Sequence, residues 1–149
     1  MNDIFWKIKS YDQLSTDELY KILKERVNVF VVEQTCPYPE LDDYDQKAIH
    51  VWAEKGNELL AYCRIFAPAI KYPEASIGRV LTNQNFRNLK LGKVLMKIAL
   101  ECIKTKFNTT SVRISAQDYL LKFYNEFGFE DTGKKYLEDD IPHTEMLRK

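Results

Sequence analysis

Hydrophobic and polar positions in this chain follow two periods, one typical of strands and one typical of helices. Runs that are apolar, β-branched or alternating predict strands at residues 4–9, 50–54, 59–66, 75–81, 111–115, 129–136 and 143–147. The second and third runs flank a polar, glycine-containing segment at 55–58. They therefore predict a β-hairpin.

Apolar residues at helical spacing predict a first helix. Ser15 and Glu18 form a capping-box pattern that starts it. Apolar side chains continue it at Leu19, Ile22, Leu23, Val27 and Phe30. Its end stays open, because residues 29–34 are apolar and largely β-branched. The segment 36–39 carries two prolines, which restrict the residues before them, so it is predicted to be irregular.

Two further helices are predicted in the second half of the chain, over 91–106 and 118–127. Gly128 provides an ordinary C-terminal stop for the later one. The buried stripe of the earlier one is expected to comprise Val94, Leu95, Ile98, Ala99, Cys102 and Ile103. The full order of strands and helices predicts an α/β fold of the α+β type, a mixed sheet with helices on its faces. At 149 residues, one domain spanning 1–149 is expected.

Composition narrows the classes of function. Lysine plus arginine equals aspartate plus glutamate, 22 each, which argues against a nucleic-acid binder. The three cysteines share no short spacing, and no Cys/His cluster has metal-ligand spacing, so we expect reduced thiols, no metal site and a cytoplasmic protein. The first residues lack the apolar core of a signal peptide. No apolar run approaches membrane-spanning length, so no membrane partner is expected.

The segment 80–96 carries the strongest chemical signal. A strand-like run ends, a polar loop follows, and Arg87, Lys90, Gly92 and Lys93 then open an amphipathic helix. Cations are electrostatically unfavourable at a helix N-terminus. Free backbone N–H groups and the helix dipole there suit an anion, and a polyphosphate above all. The segment therefore predicts a site for a phosphate-bearing cofactor.

Three motifs make the chain resemble the ElaA-type branch of the GNAT superfamily of N-acetyltransferases. They are the segment 26–42, the segment 116–129 that ends in F-Y-x-x-x-G-F, and the segment 136–146, which is similar to an E-D-G-I-P-H-x-x-M run. The resemblance covers nearly the whole chain. It implies a GNAT-like fold with a splayed central sheet and helices on both faces. It also implies an acyltransferase that moves an acetyl group from acetyl-CoA to a primary amine, by direct attack in a ternary complex.

The same resemblance implies which residues bind the cofactor. They are Arg79, Val80 and Leu81 on the strand beside the pantetheine, Arg87, Asn88, Leu89, Lys90, Leu91, Gly92 and Lys93 around the diphosphate, and Gln117 and Tyr124. The family's loop usually reads R/Q-x-x-G-x-G/A. Here Lys90 replaces the first glycine, and glycine allows close approach of backbone to a phosphate. We therefore expect weaker or differently shaped cofactor binding.

Tyr124 is the candidate general acid, because a phenol can protonate the departing thiolate. The general base stays open among Glu33, Glu40, Asp42, Asp45, His50, Glu138 and His143. Glu33 follows an apolar run and is expected in a partly buried wall of the acceptor site, and His143 has an imidazole suited to neutral pH. The acidic segment 40–45 either attracts a cationic amine or is a solvated loop.

Two other functions remain possible at this point. The chain also resembles the acyl-homoserine-lactone synthases, which share a GNAT-like core, at Arg26, Phe30, Glu40, Asp42, Asp45 and Arg64. A non-catalytic CoA-binding domain is the second alternative, favoured by the missing loop glycine. The acceptor is expected to be a small-molecule or peptide amine, and the GNAT resemblance allows a homodimer.

Overall fold

A single mixed sheet organises the protein, whose computed structural model describes residues 3–149. Within this range seven strands pair in the order β1-β2-β3-β4-β5-β7-β6. Every neighbouring pair is antiparallel except β4 and β5, which are parallel. The strands are β1 (Phe5–Ser10), β2 (Ile49–Lys55), β3 (Glu58–Phe66), β4 (Ala75–Thr82), β5 (Val112–Gln117), β6 (Glu130–Glu138) and β7 (Ile141–Arg148). The predicted mixed sheet and hairpin are confirmed.

The helices are α1 (Thr16–Arg26), α2 (Leu91–Phe107) and α3 (Leu121–Asn125). The first begins as predicted, because the Ser15 hydroxyl accepts from the Glu18 N–H at 3.1 Å and Glu18 Oε1 accepts from the Ser15 N–H at 2.9 Å. It continues into a π-helical segment, Val27–Glu33. None of the helices in 3–149 is long and apolar enough to cross a membrane.

The third predicted helix is shorter than its sequence pattern suggested. Asp118–Leu120 forms a 3₁₀ turn, and the α-helix itself covers only Leu121–Asn125. Gln117, expected at the start of this helix, is instead the last residue of β5, because its backbone pairs with His143 in β7. Gly128 ends the segment as predicted, with φ at +88°.

Each face of the sheet has its own core. Against α1 and the π-helical segment lie Trp52, Tyr62 and Leu81, packed with Ile22 and Phe30. On the opposite face α2 buries Leu95, Met96, Ala99, Cys102 and Ile103. Val94 was predicted to belong to this buried stripe, but it is 40% exposed. At this point of the helix the buried face includes Met96 instead of Val94. Helices on both faces are thus confirmed.

A β-bulge opens the sheet in its middle. The register between β3 and β4 changes from Tyr62 opposite Leu81 to Arg64 opposite Gly78, so that Arg79 and Val80 both oppose one residue. Arg79 takes the left-handed conformation, with φ at +51°. Strands β4 and β5 pair only at their first residues, from Ala75 to Ser76 in β4, and separate beyond them. The predicted splay is therefore present.

The capping residue Glu18 should make the fold sensitive to acid. Burial opposes its ionisation, but the Ser15 N–H and the ammonium groups of Lys9 and Lys7 outweigh burial and lower the pKa of Glu18 to about 2. Its stabilisation is therefore complete above the ordinary carboxyl range and is lost as the pH falls toward 2. We expect Glu18→Gln to cost about 2 kcal/mol at pH 7 and almost nothing near pH 2. Urea unfolding at both pH values measures this. An equal loss of unfolding free energy at the two pH values would contradict this prediction.

Candidate functional site

A cavity of about 500 Å³ opens where β4 and β5 separate. Its walls come from the π-helical segment and residues 34–38, from the bulged part of β4, from the start of α2, from β5 through α3, and from the β6–β7 hairpin. Five regions distant in sequence therefore meet around one space. Most of the residues predicted for the site line this cavity.

One end of the cavity is the N-terminus of α2. Lys90, the residue before the helix, has φ at +55° and ψ at +41°, a conformation that glycine adopts without strain. The lysine thus holds a conformation that a glycine would suit, at a cost of roughly 1 kcal/mol. Unlike α1, helix α2 has no side-chain cap and no acidic residue in its first turn. Its first backbone N–H groups are left for another acceptor.

Gly92 lies in the first turn of α2 and lines the cavity. A Cβ atom at this position would lie 3.5 Å from the Phe123 ring and 3.8 Å from Thr82 Cγ2, which are ordinary contacts. The protein itself therefore has room for a side chain here. What the glycine provides is bare backbone facing the cavity, which suits close approach of an anion.

Arg87 lies at the mouth of the cavity and is already engaged. Its guanidinium donates to the Thr82 carbonyl at 3.1 Å and to both carboxylate oxygens of Glu33, at 2.7 and 2.9 Å. Glu33 lines the cavity, as expected for a residue in the wall of the site. Its expected partial burial is wrong, because the π-helical segment turns Val32 and Glu33 outward and both are exposed. Lys93 forms an exposed ion pair with Glu126 at 3.2 Å.

Asn88 and Leu89 do not belong to the cavity wall. They lie in the 3₁₀ turn Gln84–Leu89 that precedes α2, and both are exposed. Val80, Leu81, Leu91 and Lys93, by contrast, all line the cavity, as predicted for residues near a cofactor.

Tyr124 is a buried phenol in the cavity wall. It lies on α3, packs edge-on against Phe123 and Phe129, and is 5% exposed. Within residues 3–149 its hydroxyl forms no hydrogen bond to another residue. Burial raises the pKa of Tyr124 well above the usual range, so the group is a protonated phenol at neutral pH. It is placed and protonated as a general acid requires.

Gln117 and Gln34 connect two walls of the cavity. Their amide groups face each other at 3.4 Å in both donor directions. Gln117 was predicted to contact the cofactor, and it does line the cavity. Gln34 was missed, because nothing in the pattern links two residues 83 positions apart.

His143 is a buried histidine with one free ring nitrogen. Nδ1 lies 2.7 Å from the Ile141 carbonyl, which can only accept, so Nδ1 carries the proton. Nε2 forms no hydrogen bond within residues 3–149, and its neighbour Glu138 Oε2 is 3.5 Å away. The ring stacks on Tyr136. Both His143 and Glu138 line the cavity, so Nε2 is positioned to accept a proton.

The acidic segment 40–45 was predicted either to attract a cationic amine or to be a solvated loop. Its carboxylates Glu40, Asp42 and Asp45 instead form ion pairs within the protein. Glu40 and Asp45 are buried, and both pair with the fully buried Arg26, with Nε 2.8 Å from Glu40 Oε2. Asp42 and Asp45 pair with the buried Arg64. Burial opposes ionisation of Asp42, but Arg64 outweighs it and lowers the pKa of that carboxyl. These carboxylates are engaged in ion pairs with arginine and are not free to act as bases.

Arg79 and His50 belong to the same buried network. Arg79 Nε lies 2.7 Å from Glu40 Oε2, so its side chain is engaged by that carboxylate, and Arg79 also lines the cavity. His50 is fully buried between the Tyr62 hydroxyl, at 2.7 Å, and the Asp45 carbonyl, at 3.0 Å. Burial lowers the pKa of His50, and it does not line the cavity.

Two further residues of the cavity wall were missed from the sequence. The Cys36 thiol donates to the Asp139 carbonyl at 3.1 Å, and the Tyr38 hydroxyl donates to Glu40. The irregular segment that carries them contained no periodic signal. Within 3–149, no group of three His, Cys, Asp or Glu side chains is arranged to hold a metal ion.

Comparison with known proteins identifies the family. A model described as an acetyltransferase (GNAT) domain matches residues 12–149. The chain belongs to the GNAT superfamily. It is similar to ElaA from Escherichia coli strain K12, with 37% identity over 148 residues that cover 98% of this chain and 97% of ElaA. The crystal structure of E. coli ElaA has a TM-score of 0.89, covering 97% of this chain and 99% of ElaA. The ElaA-type resemblance is thus confirmed.

Structural likeness also supports the enzyme class. The crystal structure of an acyl-CoA N-acyltransferase from Pseudomonas aeruginosa matches with a TM-score of 0.94 and 39% identity, covering 99% of this chain and 100% of that one. This GNAT protein is therefore an acyltransferase, of a family that uses acyl-CoA donors in general. BjaI, a CoA-dependent acyl-homoserine lactone synthase, has a TM-score of 0.78 and 19% identity, covering 97% of this chain and 82% of BjaI. That likeness shows a shared fold alone.

The buried network should be essential to stability. Removing one partner of a buried ion pair leaves an uncompensated charge, so we expect Arg26→Met to destabilise the fold by about 3–5 kcal/mol. Arg113→Met is the control, since Arg113 pairs with Glu74 and Glu145 near the surface. It should cost about 1 kcal/mol or less. Urea denaturation measures both. Similar losses of unfolding free energy in the two variants would contradict this interpretation.

Proposed function

We propose that this GNAT protein transfers an acetyl group from acetyl-CoA to a primary amine, by direct attack in a ternary complex. One observation carries the proposal. The same cavity joins the uncapped, cation-flanked N-terminus of α2 to the protonated phenol of Tyr124. The first feature suits the diphosphate of the donor, and the second suits its departing sulfur.

The donor is expected to lie along the bulged strand. The N–H groups at the start of α2, together with Arg87, Lys90 and Lys93, would hold the diphosphate. The bulge frees the backbone of Val80 and Leu81 from β5, so that it can pair with the pantetheine amides as a strand pairs with an extended peptide. The left-handed backbone at Lys90, which leaves the N-terminus of α2 facing the cavity, argues against a domain that has lost donor binding.

The residues divide the chemistry between them. His143 Nε2 takes one proton from the acceptor ammonium, and the neutral amine attacks the thioester carbonyl carbon. The C–N bond forms, the C–S bond breaks, and the thiolate receives a proton from Tyr124. The amide nitrogen releases its second proton, which restores the phenol through solvent. The balance is one amide, one free thiol and one proton for each ammonium and thioester consumed.

Direct attack is favoured over an acyl-enzyme intermediate. Cys36 is the cysteine that lines the cavity in the described residues. Burial and the carboxylates of Asp139 and Asp140 raise the pKa of its thiol, and a thiol is a much weaker nucleophile than a thiolate. The lactone-synthase alternative has less support, because Arg26, Asp42, Asp45 and Arg64 are engaged with one another. We further propose that the enzyme acts in the cytoplasm, on a small-molecule or peptide amine.

Tyr124→Phe tests the role of the phenol. We expect kcat for amine-dependent release of coenzyme A to fall about 10²-fold or more, with the KM for acetyl-CoA changed less than about threefold, because the ring and its packing remain. Tyr119→Phe is the matched control, since Tyr119 lines the same cavity but is 73% exposed. A thiol-release assay measures both. Full kcat in Tyr124→Phe would falsify the assignment.

Glu33→Gln tests whether the diphosphate must displace a carboxylate from Arg87. Loss of this competitor should tighten coenzyme A binding by about twofold to fivefold at low salt, with kcat retained. Calorimetric titration measures the affinity. Glu101→Gln, an exposed residue of α2, makes the same change in net charge and should leave the affinity unaltered. Unchanged or weaker binding in Glu33→Gln would contradict the competition, and loss of kcat would restore Glu33 as the base.

A further inference from the structure

We infer that the acceptor of this enzyme is an amine with a second cationic group and no carboxylate, and that Asp139 and Glu138 bind the second charge. The inference rests on the proposed function and specifies its substrate class. It comes from the end of the cavity opposite α2, which the β6–β7 hairpin forms.

The cavity is electrically polarised. Arg87, Lys90 and Lys93 surround the end at α2, whereas Glu138 and Asp139 line the end at the hairpin. An anionic donor and a cationic acceptor would therefore each be attracted to one end. The two ends are built from different elements, so both substrates can occupy the cavity together.

The other carboxylates around the cavity already have cationic partners. Glu33 is paired with Arg87, and Glu40, just behind the wall, is paired with Arg26 and Arg79. Within residues 3–149 the Asp139 side chain forms no ion pair or hydrogen bond, and Glu138 Oε2 has one contact, with His143 Nε2 at 3.5 Å. Asp139 is thus free for a ligand, and Glu138 is available to it beside His143.

The nearest ammonium group does not neutralise them. Lys71 is close enough to Glu138 to be influenced by its charge, but it is held over the Tyr44 ring, 4.1 Å from the centroid. It forms no ion pair with either carboxylate in the described part of the chain. A ligand ammonium would therefore not compete with a cation of the protein.

An independent feature of the same end indicates a hydrogen-bond donor in the ligand. The His143 side chain is only 7% exposed, and its Nε2 faces the cavity without a hydrogen bond in residues 3–149. This nitrogen is reached from the cavity, so it can accept a hydrogen bond from a ligand that donates one. The reacting ammonium is such a donor, which places the second charge beyond it, toward the hairpin tip.

The hairpin tip is held firmly enough to select a ligand. Asp139 and Asp140 both have positive φ, +50° and +64°, as a tight two-residue turn requires. The Asp139 carbonyl accepts from the Cys36 thiol, which ties the tip to the opposite wall. The carboxylate therefore belongs to a fixed surface of the cavity. An acceptor that carries its own carboxylate would meet two anions there and be repelled.

Three amines of matched length test the inference: 1,5-diaminopentane, hexylamine and 6-aminohexanoate, which differ in a distal positive, neutral or negative group. At 0.15 M salt we expect kcat/KM for the diamine to exceed that for hexylamine by about tenfold, mainly through KM. The amino acid should be the poorest acceptor. Release of coenzyme A is the readout.

Asp139→Asn should lower the ratio of diamine to hexylamine at least threefold, and Asn tolerates positive φ, so the turn is kept. Asp140→Asn is the matched control, because it makes the same charge change in the same turn but does not line the cavity. It should leave the ratio unaltered. A ratio that falls equally in both variants overturns the inference.

Failure of the substrate class and failure of the proposed function give different results in this assay. If hexylamine or aminohexanoate is acetylated as well as the diamine, N-acetyl transfer stands and the substrate class is overturned. If none of the three amines releases coenzyme A, both the class and the proposed function fail.

Discussion

The bulge in β4 is the constraint on which the rest of the site depends. Two residues oppose one at Arg79 and Val80, and the strand turns away from β5 after its first pair of contacts. Arg79 adopts a backbone conformation that costs a non-glycine residue roughly 1 kcal/mol. Its side chain is fixed by Glu40, and Glu40 is fixed by Arg26. The ion network therefore supports the open cavity through Arg79, which lies in the cavity wall.

The chemistry follows from what the splay exposes. At one end are helix N–H groups without a cap, at the centre a buried phenol, and at the other end an imidazole with a free nitrogen beside two carboxylates. Each group is available because its usual partner is absent: α2 lacks an acidic cap, Tyr124 lacks a hydrogen bond in the described residues, and Asp139 lacks a cation there. These groups are therefore available to a ligand that enters the cavity.

Local patterns predicted the parts of this protein that depend on neighbours in sequence. The capping box at Ser15, the helix from Leu91 and the phosphate segment around Gly92 each follow from adjacent residues. The failures involve contacts between distant segments. Nothing near Glu40 in the sequence indicates that Arg26 and Arg79 bury it, and nothing near Glu33 indicates that a π-helical turn directs it toward Arg87. The strand predicted to end at residue 115 extends to Gln117, because the backbone of Gln117 pairs with His143, which lies 26 residues later.

The central claim is that the diphosphate of the donor is bound at the N-terminus of α2. Titration of ¹⁵N-labelled protein with coenzyme A, followed by amide chemical shifts, tests this directly. The account predicts that the amides of Gly92 and Lys93 shift most, saturably, together with those of Val80 and Leu81. Saturable shifts elsewhere, with the amides of Gly92 and Lys93 unmoved, would contradict it.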